Sequence, residues 1–416
     1  MAARRQALRL AARALEQRLN ADRSDHTGAE LPCACGAPAQ YHGRHAKTFE
    51  SVLGPLHLER AYYHCASCQT GFCPRDRHLR LEMFSLTPGV LRMTGSTAAL
   101  VSFVESNSLL RELAGLEVSA SQVQRAAEAL GAEIAADERT DVEPRGEVAP
   151  TMYLGMDGTG VPMRPSEVAG RAGKQPDGSA KTREAKIVTL WTAESRDAQG
   201  KPRRDPGSIT YSAAIESAAT LDTSSNLSAF AQRVTREATR RGFCQAARCV
   251  VLGDGSAWIW NTATELFPDA IQILDRFHAK EHLSNLGKLL YGPGSEQSRQ
   301  WIHARYDELD EGRMEPLLNA LLCHASDHKE AGDCAEYFRH NRQRMRYPEF
   351  HAQGLCTSTG VVEAGCKVII GTRLKRSGMH WSESGANAII ALRCSKLSGR
   401  YEDFWERRAL HHKAAA

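Results

Sequence analysis

The chain has no long hydrophobic run. None of its apolar stretches approaches the roughly 20 residues that a membrane-crossing helix needs, so the sequence reads as a protein that does not span a membrane. Its opening stretch, MAARRQALRLAARALEQRL, lacks the apolar centre of a secretory signal and reads as a basic amphipathic helix, which leads us to expect a cytoplasmic address. A strong charge excess is missing too, since 53 Lys and Arg against 49 Asp and Glu leave a formal net charge of +4. That balance permits nucleic acid as a partner without demanding it, because binding depends on where the basic residues cluster. With 42% apolar and 25% charged residues, the composition is that of a globular chain, not a disordered one. A length of 416 residues buries a sizeable core and suggests two or three domains.

Cysteine is not scarce, but paired cysteine spacing is absent after the first 75 residues. Cys244, Cys249, Cys323, Cys334, Cys356, Cys366 and Cys394 stand singly and read as small buried residues. The N-terminal cysteines differ. Cys33 and Cys35 in CACG, then Cys65 and Cys68 in CASCQTGFC, flank a hairpin-sized insert with strand-like runs. In a cytoplasmic chain such a pattern points to metal ligation or thiols rather than to disulfides. Two close pairs on tight knuckles make the arrangement of a zinc ribbon, in which four thiolates close a tetrahedral structural site with no open position for catalysis. Gly36 and Gly71 suit the knuckle turns, and Cys73, His64 and His78 are possible substitute ligands. Free buried thiols are the competing reading.

Residues 85–140 read as helical, with Thr87-Pro88 as a start because proline's missing N–H costs little in a first turn. SLLRELAGLEVSASQVQRAAEALGAEI reads as a helix, a turn at Gly115 and a second helix opened by Ser119, with Gln122 as its capping-box partner. This is the outline of a helix-turn-helix whose second helix would present Ser121, Gln122, Gln124 and Arg125 to a DNA groove. A helical hairpin used only for packing fits the same pattern.

After a linker-like DVEPRGEVAP the pattern changes to strands. TMYLGMD, KIVTLWTAE and SITYSAAIE read as three strands, followed by the amphipathic helix LSAFAQRVTREATRRGF. A fourth strand, CVVLGD, is followed by a helix at AWIWNTATELF, and IQIL is a fifth strand running into another helix. Trp191, Trp258 and Trp260 fall in these patterns and read as core. Such an order specifies an α/β domain with a mixed sheet, the order of an RNase H-like core. Residues 286–350, helix-forming and charged, read as an insertion before a final helix.

Three acids stand at junctions of this pattern. Asp157 in YLGMDGTGVPM and Asp254 in CVVLGDGSAWIW follow apolar strands, and Glu363 in STGVVEAGCKVIIGTRLKRSGMHW begins a helical run. Carboxylates are hard oxygen ligands, and such a set is what a two-metal phosphoryl-transfer site requires. Taken singly, each Asp-Gly also fits an ordinary turn. Glu383 is a second candidate for the third acid, although its place after Ser382 suits the first turn of a new helix. Lys367, Arg373, Lys375, Arg376 and His380 follow Glu363 closely and read as phosphate contacts, which position DNA without reading it. Trp381 reads either as a base-stacking platform or as core.

GMDGTGVP, GDGSAWIW, IQILDRFHAKEHL and STGVVEAGCKVIIGTRLKRSGMHW, with the ribbon-like KTFESVLGPLHLERAYYHCASC, together resemble the DDE transposases of bacterial insertion sequences, in the ISKra-type group allied to the Mutator-like superfamily. The resemblance runs from about residue 30 to about residue 400. It implies a catalytic triad of Asp157, Asp254 and Glu363 with Mg²⁺ or Mn²⁺, and structural Zn²⁺ on Cys33, Cys35, Cys65 and Cys68. Asp275-x-x-His278 resembles a signature of that family, with His278 either at the scissile phosphate or as a core histidine bonded to Asp275. Its implied partners are double-stranded DNA, both element ends and target, and further copies of the chain on that DNA, close to the bacterial nucleoid. The expected layout is a basic helix and zinc ribbon over 1–84, a helix-turn-helix-like domain over 85–145, the catalytic core over 146–285, the helical insertion over 286–350 and the final core helices over 351–416. Two other functions fit the same residues: a domesticated DNA-binding protein, and a metal-dependent nuclease that cuts without joining.

Overall fold

A computed structural model describes all residues except 1, 82–83, 141, 145–147, 221–225 and 415–416, so part of the linker read over 141–150 lies outside the described residues. The chain divides into two compact units, Met1–Ile134 with Arg400–Ala416, and Ala135–Gly399. No described helix is long and apolar enough to cross a membrane.

In the first unit, helix α1 (Ala2–Ala21) packs on a four-stranded antiparallel sheet of order β1-β2-β3-β4: Glu30–Pro32, Pro38–Ser51, Gly54–Cys65 and Thr70–Phe72. Along β3 the buried residues Leu56, Leu58, Ala61, Tyr63 and Cys65 lie mostly two apart, as a half-buried strand requires. Ala12 of α1 joins Phe49, Leu56 and Leu58 in one apolar cluster. After the short α2 (Pro74–Leu79), α3 (Pro88–Leu100) begins with Pro88 behind the N-cap Thr87, and α4 (Phe103–Leu109) is opened by a Ser102–Glu105 capping box. It widens into a π-type turn at Leu110–Ala114 and stops at Gly115, whose φ of +73° is a left-handed cap. Helix α5 (Ala120–Thr140) follows. The expected capping box is present: Gln122 N–H donates to Ser119 Oγ (3.3 Å) and Ser119 N–H to Gln122 Oε1 (2.9 Å).

The final helix, α17 (Tyr401–Ala414), belongs to this first unit, whereas the sequence reading grouped 351–416 with the core. Gly95 is the reason it fits: a Cβ there would lie 2.6 Å from the Tyr401 hydroxyl, which donates to Arg92 O (2.7 Å).

The second unit is built on a mixed sheet of order β11-β10-β5-β6-β9. Strand β5 (Thr151–Pro162) pairs antiparallel with β6 (Thr182–Thr192), and β6 antiparallel with β9 (Thr210–Ala214). On the other side β5 pairs parallel with β10 (Arg248–Gly253), and β10 parallel with β11 (Ile271–Leu274). A small α6 (Pro165–Val168) and a β7–β8 ribbon (Ser195–Arg196 with Pro202–Arg203) sit in the connections. Helices α7 (Ala229–Arg240) and α8 (Ala257–Leu266) cover one face, where Arg233 reaches Ser212 and Gly253 lies against Ile259. Helices α14 (Gly360–Gly365) and α16 (Glu383–Leu397) cover the other, and α15 (Thr372–Leu374) lies between them in sequence.

Between β11 and α14 lies a helical segment: α9 (Arg276–Tyr291), α10 (Glu296–Asp310), α11 (Met314–Leu322), α12 (Lys329–Asn341) and α13 (Tyr347–Ala352). The insertion boundary expected at residue 286 falls inside α9, which runs unbroken from the end of β11.

Candidate active site and metal centre

The four N-terminal cysteines meet where the two knuckles of the ribbon face each other. Cys33 and Cys35 lie on the turn between β1 and β2, held by Cys33 N–H donating to Ala37 O (2.9 Å) and by Gly36 at a φ of +88°. Cys65 ends β3 and Cys68 lies on the turn to β4. That second turn takes its left-handed residue at Gln69 (φ 57°), not at Gly71 as the sequence suggested. Gly71 lies in β4, where a Cβ would overlap the Tyr62 hydroxyl.

The Cys33–Cys68 and Cys35–Cys65 sulfurs are 3.5 and 3.6 Å apart, and all four lie within 4.8 Å of one another. A disulfide needs about 2.05 Å. Sulfurs about 2.3 Å from a tetrahedral zinc are about 3.8 Å apart, so the spacing is that of four thiols able to hold one ion. Thr70 supports the thiolate form: it lies 2.9 Å from Cys68 Sγ, and that hydrogen bond leads in holding the thiol down at about 6. Cys73, His64 and His78 stay outside the group.

The carboxylates are assembled differently. Leu252 pairs with Gly155 in the parallel β5–β10 ladder, so Asp157 and Asp254, each two residues further on, stand at the same level of neighbouring strands. Neighbouring strands are about 4.8 Å apart. Residues 155 and 157 share one face of β5 by the period of two, and that face is the one α14 covers. A Cβ on Gly155 would come 2.0 Å from Val362 Cγ2, and one on Gly365 would come 3.1 Å from Thr189 Oγ1. Glycine at both positions lets α14 settle onto the sheet, with the exposed Glu363 on Asp157's side of it.

Burial pushes the Asp157 carboxyl above its ordinary range, and the negative charges of Asp254 and Glu363 push the same way. The Cys366 thiol and the Gly158 N–H (2.6 Å) oppose the shift by hydrogen-bonding that carboxylate. The acids do not close into a cage: among the described residues only the cysteine group brings three or more such ligand atoms within 4.8 Å of one another.

Residues 238–408 match the sequence model of an uncharacterised protein family (UPF0236). No curated protein shows significant sequence similarity to the chain. A solved structure described as the Drosophila P element transposase strand transfer complex aligns with 76% of this chain and 80% of that chain, at 10% identity and a TM-score of 0.25, a likeness too slight to bear on fold or chemistry.

Around the acids, Asp275 and three residues that the sequence did not single out, Thr359, Ser256 and Tyr337, hold the arrangement. Asp275, fully buried at the end of β11, accepts from His278 N–H (2.7 Å), from the Thr359 hydroxyl (2.7 Å) and from Thr359 N–H. The Thr359 hydroxyl is also within 3.0 Å of Glu363 Oε1. Asp275 thus caps α9 and ties the start of α14 to the sheet, and its tie to His278 is through the backbone rather than the ring. The His278 ring lies instead 3.6 Å from Glu281 and edge-on to His282. On the other strand, Ser256 N–H donates to Asp254 Oδ1 (2.9 Å), and the Tyr337 hydroxyl of α12 donates to Asp254 O (3.2 Å).

The basic stretch after Glu363 divides. Lys367, Lys375, Arg376 and His380 are exposed, and Lys375 bonds the Thr159 hydroxyl just beyond Asp157. Arg373 is fully buried, with its guanidinium over the ring of Trp381. Trp381 is buried too, its indole N–H donating to Leu374 O (3.0 Å). Neither reaches solvent here, which corrects the readings of Arg373 as a phosphate contact and Trp381 as a stacking platform. The physical reason is that the Trp381 backbone is stitched to the end of β5, its N–H donating to Pro162 O (3.1 Å) and its carbonyl accepting from Arg164 N–H (2.9 Å), which sets the indole inside with Arg373 packed on it. Buried Arg393 holds the π-type turn at Cys366–Gly371 by donating to Val368 O, Ile369 O and Thr372 Oγ1, and burial pushes its guanidinium down to about 10. Glu383 lies in the first turn of α16 behind the cap Ser382 and pairs with Arg183.

In the first unit, Gln122 is used by its capping box, Gln124 bonds Glu128 (2.8 Å) and the exposed Arg125 reaches back to Ser121 O (3.4 Å). Of these three, Arg125 is the exposed side chain.

Proposed function

We propose that the chain is a DDE-type DNA transposase that binds insertion-sequence ends and performs metal-dependent DNA cleavage and strand transfer. The observation that carries this reading is the placement of Asp157 and Asp254 level on neighbouring parallel strands, with Glu363 on a helix over the same face. The strand order, three antiparallel strands extended by two parallel ones, supports an RNase H-like core. The resemblance of the motifs around the three acids supports a triad that serves cutting and joining alike.

The donor set fits hard divalent cations, since three carboxylates from two strand ends and one helix are the oxygen ligands that Mg²⁺ or Mn²⁺ takes. Bound ions supply activation of the attacking water and stabilisation of the departing oxygen. The residues of the chain do the rest. Asp157 and Asp254 are held by strand pairing and by the N–H groups of Gly158 and Ser256. Glu363 is oriented by Thr359. Lys367, Lys375 and Arg376 hold phosphates beside the acids, while His278 lines the approach from α9. No Ser or Tyr nucleophile is required, because water and then the freed 3′-hydroxyl attack in turn. In the first unit, Cys33, Cys35, Cys65 and Cys68 hold Zn²⁺ as a structural ion, and the exposed Arg125 faces DNA.

The test uses duplexes carrying the repeats that flank the gene. Wild type is expected to nick at the repeat ends in Mg²⁺ and to join the 3′-hydroxyl to target DNA, and Asp254→Asn to abolish both while retaining end binding. Cutting without joining would make it a nuclease; end binding without cutting would make it a DNA-binding protein.

A further inference from the structure

Trp381, the aromatic nearest Glu363 in the sequence's basic stretch, is buried. A different aromatic wall stands next to Asp254. Tyr337 of α12 is fastened to the Asp254 loop twice. Its hydroxyl donates to Asp254 O, and its ring lies against Gly255, where φ is +100° and a Cβ would come within 2.7 Å of the ring. His282 of α9 stacks on Tyr337, with ring centroids 4.2 Å apart and planes 26° from parallel. Burial pushes the imidazole below its ordinary range, and the neighbouring His278 adds to this.

The two rings line a cavity of about 510 Å³ between α9 and α12, with Leu286 and Leu289 on its wall. This volume lies within the range of roughly 300–1,000 Å³ seen for small-molecule sites. Glu330 and Asp333 supply its charged lining, Asp333 being paired with Lys329, and no Lys or Arg is among the lining residues. Such a lining repels phosphate and accepts N–H donors. The chemistry that matches flat rings, aliphatic carbons and acceptor carboxylates is an uncharged heteroaromatic ring bearing amine or imino hydrogens. Leu289, 51% exposed, lies on the cavity's wall and opens it to solvent.

We propose that the cavity walled by Tyr337 and His282 takes an unpaired nucleobase of the DNA strand being processed at Asp254. The inference rests on the transposase reading for its substrate and adds a subsite to it. A base that leaves the stack loses a few kcal/mol of pairing and stacking, and stacking on aromatic rings returns about 1–3 kcal/mol per base. The link through Asp254 O makes the subsite part of the same rigid loop as the acid, so a base seated there fixes the backbone beside the scissile phosphate.

The experiment places 2-aminopurine at successive positions flanking the scissile phosphate in repeat-end duplexes, with Ca²⁺ in place of Mg²⁺ to hold back cleavage. One position is expected to brighten several-fold with wild type, and to stay dark with His282→Ala and with Leu289→Arg, whose exposed position keeps the fold intact. The same variants are expected to cleave the paired duplex roughly ten- to a hundredfold more slowly, and to regain rate when that nucleotide is mismatched. No brightening at any position with a wild-type protein that cleaves would overturn the subsite and leave the transposase reading standing. Equal brightening in both variants would also overturn it. A wild type that binds the ends and cuts nothing would instead sink the functional reading, and the subsite with it.

Discussion

The cysteine knuckles of the first unit and the carboxylates of the second are two metal-competent sites made in opposite ways. The four sulfurs come from two turns of one antiparallel sheet and already lie within 4.8 Å of one another. The acids come from two strands and a helix separated by some two hundred residues, and they stand more openly on one face. Short knuckles leave the sulfurs little freedom to move apart. Ionised carboxylates repel, and the charges of Asp254 and Glu363 add to the burial that raises Asp157. The first site is gathered by local turns, the second by the packing of distant segments.

The largest expected effect tests that contrast directly. Removing the ion from four thiolates costs a small domain on the order of 10 kcal/mol. Chelation, or Cys65→Ser, is expected to make the segment around residues 30–80 protease-sensitive and to release one zinc per chain to a colorimetric dye. The second unit should keep its protease resistance under the same treatment. If the ribbon stays resistant after zinc is gone, the comparison breaks.

Next in size is Asp157→Asn, expected to lower Mg²⁺-dependent cleavage by about a thousandfold or more, a loss of roughly 4 kcal/mol in transition-state stabilisation. Stability should move the other way. A carboxyl raised in the folded state contributes stability below its unfolded value and loses it as pH rises through the folded value. In metal-free buffer at neutral pH the Asn variant is therefore expected to melt slightly higher than wild type, and its melting temperature to depend less on pH between about 4 and 7. Equal melting curves at all pH values would show that burial does not raise Asp157 in the folded state.

The supports of Glu363 sharpen the picture. Thr359→Val leaves buried Asp275 short of one donor, a cost of about 1–3 kcal/mol, and frees Glu363. The expected result is a higher Mg²⁺ requirement as well as a slower rate, with Thr359→Ser restoring both. A loss of stability with an unchanged Mg²⁺ requirement would make Thr359 structural only. The smallest effect belongs to the sheet face: Gly155→Ala should destabilise by about 1–3 kcal/mol through overpacking against Val362. Adding Val362→Ala should recover most of that in thermal melts.

Much of the second unit was legible because its signals are local. Apolar runs that end in Asp-Gly mark β5 and β10, and the amphipathic spacing of LSAFAQRVTREATRR marks α7. The knuckle cysteines were legible for the same reason. Asp275 was visible only as half of a motif, because its partner Thr359 is remote in sequence and nothing local announces a buried acceptor. Trp381 was ambiguous by nature: an aromatic near a basic cluster has the same letters whether it faces solvent or core.

Composition, strand and helix periodicity, turn chemistry and the identity of the metal-competent side chains are set by the sequence itself, since each depends on residues within a few positions of one another. Which face of the sheet receives α14, whether Arg373 and Trp381 point in or out, and how Tyr337 comes to rest on the Asp254 loop depend on packing between distant segments. Glycines at 95, 155 and 365 look alike in the sequence, yet each is required by a side chain that only the fold brings within 3.5 Å. Close packing is decided by volume, and volume is shared among residues that the order of the chain keeps apart.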